Sequence, residues 1–266
     1  MRKFIRFLGY IAIVHIVLGA LINVFKGLNS EANQCVDQLI VSDILGAHNH
    51  QRQWELNTTN GRFCTTYDTY SADNSRAARH RTDISVKFES SRYPWPELYH
   101  ELSDVSRPAI RFLTDSLTTI SLREDLTRSE LAELIVTFVQ DIPYSYILPG
   151  TCDSFETHGK PCVGNVSLGI YSPYEFIHTL KGDCDTRSVL IYLILQELGF
   201  DPIILISDEY AHAMIALNLP TSGDYILSNG EKYYFWETTA KGWPIGMLPP
   251  STGNKDYWKI ALRYEL

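Results

Sequence analysis

A cysteine stands at the point where a buried helix is expected to begin. Cys184 follows Gly182 and Asp183, and an apolar stretch occupies residues 189–198 shortly after it. The unpaired N–H groups and the dipole at a helix N-terminus favour negative charge, which lowers the pKa of a cysteine placed there. The sequence therefore predicts that Cys184 is a nucleophilic thiolate.

Two residues further along the chain can complete a catalytic unit with this thiol. His212 lies in a strand-like run over residues 210–219, and Glu237 ends a second strand-like run that starts at Lys232. A thiol nucleophile needs an imidazole that accepts its proton, and a carboxylate on the other ring nitrogen orients that imidazole. The chain order predicts a triad of Cys184, His212 and Glu237.

Each of these residues also has a plain structural interpretation. Cys184 can be an inert core cysteine, His212 a core histidine and Glu237 an ordinary carboxylate at a strand end. The flanking Asp183 and Asp185 fit helix capping better than catalysis. Two further residues, Gln140 and Tyr171, are candidates for oxyanion or substrate contacts.

The elements around the triad can be read from hydrophobic periodicity. A helix is predicted over residues 108–119, and a second helix begins at a capping box made by Thr127 and Glu130. The apolar helix that starts near Cys184 is expected to lie inside the domain and to end at Gly199. Antiparallel strands follow it, so the predicted fold class is α+β, with a central helix packed on an antiparallel sheet.

Composition excludes some functions and supports others. The net charge is −8, and Lys and Arg residues form no cluster, which argues against a nucleic-acid partner. Residues 30–91 read as a polar, mixed segment, with strand-like content on both sides of Asn60-Gly61 and a loop over residues 73–83. The predicted organisation is a segment 1–29, an N-terminal extension 30–105 and a catalytic domain 106–266.

The first 29 residues have the features of an export signal or a membrane anchor. Three basic residues precede a stretch without formal charge over residues 7–25, and 19 residues are enough to cross a bilayer as a helix. We expect a transmembrane helix rather than a cleaved signal peptide or a buried core helix. The basic flank orients the N-terminus to the cytoplasm and the catalytic domain to the periplasmic or extracellular side.

Export changes the interpretation of the five cysteines. In an oxidising compartment cysteines pair, and a nucleophilic Cys184 leaves four others. Cys152 and Cys162 bracket a short polar loop and are predicted to form a bridge, while Cys35 and Cys64 are the remaining candidates for a second. Other connectivities stay open, as does a zinc site formed by Cys152, Cys162, His158 and His178.

Taken together, these motifs resemble the transglutaminase-like superfamily of papain-fold cysteine enzymes. The resemblance covers about residues 125–245 and rests on residues 139–144, 171–175, 182–185, 210–213 and 236–239. It implies a papain-like core with Cys184 as nucleophile, His212 as base and Glu237 in the third position, where members commonly carry Asp. The long loop over residues 150–170 has no counterpart in the family pattern.

The expected activity is acyl transfer from an amide bond of a peptide or protein through a thioester. Hydrolysis by a peptidase or amidase is favoured, and protein crosslinking by a transglutaminase is the alternative. A membrane-tethered binding or assembly module without turnover is the alternative from another class. No cofactor or metal is required by this chemistry, and the expected partners are a peptide substrate and the membrane.

Overall fold

The computed structural model describes residues 35–42, 46–58, 61–88, 90–154 and 157–263. Six helices lie in this part of the chain: α1 (Ser71–Phe88), α2 (Trp95–Ser106), α3 (Arg111–Arg123), α4 (Arg128–Gln140), α5 (Pro173–Thr179) and α6 (Cys184–Glu197). The strands are β1 (Gln38–Ser42), β2 (Ala47–Glu55), β3 (Arg62–Tyr70), β4 (Tyr146–Ile147), β5 (Cys162–Val163), β6 (Pro202–Ser207), β7 (His212–Leu217), β8 (Tyr225–Ser228), β9 (Glu231–Trp236) and β10 (Lys259–Arg263). The chain from Asp37 onward forms one compact unit, and Cys35 and Val36 belong to a separate N-terminal unit.

The main sheet is antiparallel and has the strand order β10-β6-β7-β9-β8. Strands β6, β7 and β9 correspond to the three strands predicted from the sequence, whereas β8 and β10 were missed. The turn between β8 and β9 is the predicted one: Asn229 and Gly230 both have positive φ, as a two-residue hairpin turn requires. This hairpin places β9, and hence Glu237, beside β7.

Helix α6 is the central helix of the fold. Every residue from Val189 to Leu195 is buried, because the helix packs against β6 and β7 on one side and against helices α2, α4 and α5 on others. It ends as predicted at Gly199: the N–H of Gly199 donates to Gln196 and that of Phe200 to Leu195, the pattern of a Schellman cap. Helix α4 begins at the predicted capping box of Thr127 and Glu130.

The segment over residues 30–105 contributes elements that pack on this core. Strands β2 and β3 form an antiparallel hairpin, with β1 on its outer edge. The Trp54 indole donates to the carbonyl of Leu134 in α4 at 3.1 Å, and Arg52 pairs with Asp141 just beyond α4 at 2.9 Å. The predicted loop over residues 73–83 is wrong, because this stretch lies within α1, whose Arg81 forms a buried ion pair with Glu175 of α5.

The predicted fold class needs correction. The described residues form a mixed α and β fold of six helices and three sheets, and none of these helices is both long enough and apolar enough to cross a membrane. The fold class is therefore given without the transmembrane helix that was predicted for residues 7–25. That segment lies outside the residues that the structure describes.

One buried cation joins three parts of the core. The guanidinium of Arg187, in the first turns of α6, is fully buried and donates to five backbone carbonyls. The acceptors belong to the end of α4, the segment before α6 and the segment after β9: Val139, Ile142, Pro143, Gly182 and Thr238. Burial lowers the pKa of Arg187 to about 10, so the side chain remains charged at neutral pH.

Replacement of this cation should destabilise the whole fold. Arg187→Met keeps much of the side-chain volume but leaves these carbonyls without donors, and each buried unsatisfied acceptor costs about 1–3 kcal/mol. We expect the free energy of unfolding, measured by urea denaturation, to fall by about 3–5 kcal/mol. The control is Arg123→Met on α3, where the side chain is 59% exposed and a change within about 0.5 kcal/mol is expected. Equal stability of the two variants would contradict the role given to Arg187.

Candidate active site

Cys184 is the first residue of α6, and Asp183 caps the helix in front of it. The Asp183 carboxylate accepts a hydrogen bond from the backbone N–H of Thr186 at 3.2 Å, which confirms the capping role predicted for this residue. The sulfur of Cys184 is buried, with 7% of the residue exposed, and the backbone of Ala213 forms a hydrogen bond with it. Because Ala213 directly follows His212, this contact fixes the start of β7 beside the start of α6.

His212 and Glu237 meet at one edge of the main sheet. His212 is the first residue of β7, and Glu237 directly follows the last residue of β9. These strands are antiparallel, with Ile215 opposite Trp236, so the start of one and the end of the other share an edge. The Nε2 atom of His212 lies 2.9 Å from the Oε2 atom of Glu237.

The hydrogen bonds of Glu237 determine which nitrogen of His212 carries a proton. Burial alone would raise the pKa of Glu237, but the hydrogen bond and charge of His212, together with hydrogen bonds from Thr239, outweigh it and lower the pKa to about 2. Glu237 is therefore an ionised acceptor, and Nε2 of His212 must be the donor. In the neutral imidazole this leaves Nδ1 with the lone pair that can accept a proton from a thiol.

Glu237 itself is held rigidly. Its second oxygen, Oε1, accepts from the backbone N–H groups of Thr238 and Thr239 at 2.9 and 2.8 Å and from the Thr239 hydroxyl at 2.6 Å. The imidazole also packs against the Trp258 ring in a T-shaped arrangement, at a centroid distance of 5.9 Å. The orientation of His212 is thus set by the Glu237 carboxylate and by packing against the Trp258 ring.

The thiol of Cys184 is not in the predicted low-pKa state. Burial, followed by repulsion from Asp185 and Asp183, raises its pKa well above the usual value, although the hydrogen bond with Ala213 acts in the opposite direction. The prediction of a resting thiolate is therefore wrong, because burial and two adjacent carboxylates outweigh the helix N-terminus. In this structure the sulfur is a thiol, which donates to Oδ2 of Asp185 at 3.7 Å.

The two carboxyl groups beside the thiol, those of Asp183 and Asp185, also have raised pKa values. Burial and repulsion from Asp185 raise the pKa of Asp183 to about 8, and burial also raises the pKa of Asp185. The hydroxyl of Tyr99 in α2 donates to Asp185, which also interacts electrostatically with His212. Tyr99 was missed because it comes from a distant helix with no motif of its own.

The two further candidates for oxyanion or substrate contacts, Gln140 and Tyr171, both make hydrogen bonds that support the site. Gln140 uses both amide hydrogens, because Nε2 donates to the carbonyls of Glu237 at 2.6 Å and Trp243 at 2.9 Å. It therefore anchors the segment after β9 instead of offering an oxyanion donor. The backbone N–H of Tyr171 donates to the Thr186 hydroxyl and supports the start of α6, while a substrate contact of its side chain stays a prediction.

A polar cleft of about 340 Å³ opens beside the histidine and the carboxylate. It is lined by Tyr210, His212, Glu237, Thr239, Trp243, Pro249, Ser251 and Thr252. The side chain of His212 is 15% exposed at this cleft, whereas that of Glu237 is 4% exposed. A substrate can therefore approach the imidazole while the carboxylate stays shielded from water.

The cysteines other than Cys184 are all oxidised. Cys152 and Cys162 form the predicted bridge, and Cys35 and Cys64 are disulfide-bonded as well. The zinc site considered for Cys152, Cys162, His158 and His178 is wrong, because the first two are joined to each other. Instead, His178 groups with His48 and His50, and one ligand atom from each ring lies within 4.8 Å of the others.

Comparison with protein-family models, curated proteins and solved structures found no match to this chain. Membership of the transglutaminase-like superfamily therefore remains a prediction from the motifs. A function for this chain has to be argued from the geometry around Cys184, His212 and Glu237.

The raised pKa of Cys184 predicts slow alkylation. At pH 7, iodoacetamide should modify this thiol more slowly than a free cysteine in a peptide, because the reactive thiolate is scarce. Asp185→Asn removes a repelling charge, so the midpoint of the rate against pH should move down, with about tenfold more thiolate for each unit. The rate is followed by mass spectrometry across the pH range.

The matched control is Asp115→Asn, which removes an exposed carboxylate from α3. Its alkylation profile should coincide with that of the unmodified chain. A wild-type rate equal to that of the free peptide, or an unchanged midpoint in Asp185→Asn, would contradict the raised pKa and its cause.

Proposed function

We propose that this chain is a cysteine-dependent acyl-transfer enzyme that hydrolyses amide bonds of peptides or proteins. The observation that carries the proposal is the 2.9 Å hydrogen bond between His212 and Glu237, at the sheet edge where Ala213 contacts the sulfur of Cys184. A thiol at a helix start, an oriented imidazole and an ionised carboxylate are the groups that thiol-dependent acyl transfer needs.

The first half of the reaction forms a thioester. His212 takes the thiol proton on Nδ1 while the sulfur of Cys184 attacks the amide carbon. The carbonyl oxygen becomes an oxyanion, and the backbone N–H of Cys184 can donate to it because the first N–H groups of a helix have no partner within the helix. Collapse breaks the C–N bond, and His212 returns the proton to the departing amine.

The second half releases the acid. Water attacks the thioester, His212 accepts a proton from that water, and the C–S bond breaks as the sulfur of Cys184 leaves and is protonated again. Throughout, Glu237 keeps Nε2 protonated and stabilises the imidazolium, which is why its low pKa matters. A primary amine in place of water would give transamidation.

The raised pKa of Cys184 requires that proton transfer and attack occur together. A thiol that is neutral at rest becomes nucleophilic only when the imidazole removes its proton as the substrate arrives. A substrate that displaces water and neutralises nearby charge would favour this step. The thiol would then react slowly with small electrophiles, while the enzyme would be active toward a bound peptide.

The oxidised cysteines suggest where the substrates are. Disulfides form and persist in oxidising environments, so bridges at four of the five cysteines favour a compartment outside the reducing cytoplasm. Peptides or proteins of such a compartment are the substrate class that fits. The polar cleft beside His212 would receive part of the chain on one side of the scissile bond.

One observation favours a second candidate. The high pKa and the burial of Cys184 are also expected of a module that keeps the site but binds peptides without turnover. The two candidates differ in whether the sulfur forms an acyl adduct.

The test is peptide-library turnover together with trapping of the acyl adduct by mass spectrometry. Cys184→Ala should abolish both, and His212→Ala should lower the rate by about 10² to 10⁴. Glu237→Gln should give a smaller loss, since an amide can still contact the ring but can favour the wrong tautomer. Thermal melting should show that each variant is folded.

The control is His100→Ala, which removes a histidine whose side chain is 60% exposed on α2. Its turnover should equal that of the unmodified chain. Full activity in Cys184→Ala would overturn the proposal, and peptide binding with neither turnover nor adduct would establish the binding module instead. Incorporation of a labelled primary amine would identify transamidation.

A further inference from the structure

A second group of chemically capable residues lies away from the cleft, at the junction of β2, β3 and α5. His48 and His50 are two residues apart on β2 and therefore point to the same face of the strand. His178, in the last turn of α5, stacks on His48 with ring centroids 4.1 Å apart. We call His48, His50 and His178 the histidine cluster.

Two ring nitrogens of the cluster are buried without a partner. Nδ1 of His48 and Nδ1 of His50 have no hydrogen-bond partner in the structure, and His50 is fully buried. A buried polar atom without a partner costs about 1–3 kcal/mol, so proteins rarely keep one without a reason. Two such atoms in one cluster indicate a ligand-binding site.

The hydroxyl of Thr69 contacts two of the three rings. Its hydroxyl lies 2.9 Å from Nε2 of His50 and 2.8 Å from Nδ1 of His178. A hydroxyl oxygen has two lone pairs, so it can accept from both rings at once. Both imidazoles then present a lone pair on the opposite nitrogen, Nδ1 of His50 and Nε2 of His178.

This arrangement has the features of a three-histidine metal site. In a metal-binding histidine, the N–H of the second ring nitrogen usually donates a hydrogen bond to a fixed oxygen. Here the Thr69 hydroxyl oxygen is that acceptor. Nitrogen ligands at about 2.0–2.1 Å around a tetrahedral ion lie about 3.3 Å apart. The ligand atoms of the cluster lie within 4.8 Å of one another, so small rotations of the rings have to close gaps of at most about 1.5 Å.

The charge state of the rings also suits a metal. Burial, with repulsion from the neighbouring imidazoles, lowers the pKa of His50 and of His178 to about 4. Both rings are therefore neutral at neutral pH, which is the form that coordinates metal ions.

We propose that the histidine cluster binds one divalent transition-metal ion, with Zn²⁺ the best fit, through one nitrogen each of His48, His50 and His178. Three imidazoles and an open fourth position suit Zn²⁺, whereas Mg²⁺ and Ca²⁺ prefer oxygen ligands. Because β2, β3 and α5 each border the cluster, the ion ties the β2–β3 hairpin to the segment that leads into α6. This proposal does not depend on the proposed function.

The experiment uses the full chain with Cys184 replaced by Ala, so that the thiol cannot bind the metal. After removal of metals with a chelator, Zn²⁺ is titrated against a coloured competitor, and bound zinc is counted by elemental analysis. One ion per chain is expected, with a rise in melting temperature on addition of Zn²⁺. Cobalt should give the visible spectrum of a tetrahedral nitrogen site.

Single variants locate the ion. His48→Ala, His50→Ala and His178→Ala should each lower the Zn²⁺ affinity by at least about 100-fold, since a lost ligand costs more than a lost supporting group. His48→Ala is the variant least prone to misfold, because that side chain is only half-buried. The control His100→Ala should bind Zn²⁺ like its parent.

Thr69 provides a sharper test, because it is a positioning residue and not a ligand. Thr69→Val keeps the shape but removes the hydroxyl, and should weaken Zn²⁺ binding by about 10- to 100-fold. Thr69→Ser should restore it. Absence of stoichiometric zinc, or undiminished binding in both His48→Ala and His50→Ala, would overturn the proposal.

Discussion

The buried guanidinium of Arg187 is the interaction on which the rest of the fold depends. A charge in the protein interior is costly unless each donor has an acceptor, and Arg187 meets this condition with five carbonyls. Three of them lie at or just past the end of α4, where the helix dipole favours a cation. The same group reaches Gly182, two residues before Cys184, and Thr238, directly after Glu237, so it joins the two halves of the candidate site.

The site itself is built on ends of rigid elements. Cys184 starts α6, His212 starts β7 and Glu237 follows β9, so no side chain of the three depends on a long loop. Gln140 completes this frame by holding the carbonyl of Glu237 from α4. Such placement would keep the three side chains within the small tolerance that the proposed acyl transfer demands.

Two electrostatic effects compete at the sulfur of Cys184. The start of α6 favours a thiolate, while burial and the carboxylates of Asp183 and Asp185 favour the thiol, and the second group of effects is larger. A neutral thiol is oxidised less readily than a thiolate. In the proposed mechanism the reactivity of Cys184 then depends on His212, whose ring is hydrogen-bonded to Glu237.

The sequence by itself determined the local features. Periodicity and capping residues predicted α4 and α6, the Asn229-Gly230 turn and three strands of the main sheet, because these depend on neighbouring residues. The spacing of Cys184, His212 and Glu237 indicated one site. The tertiary structure alone decided the pKa of the thiol, the contact of Tyr99 with Asp185, the role of Arg187 and the meeting of His178 with His48 and His50. These depend on burial and on contacts between residues far apart in the chain, and no short stretch of sequence contains that information.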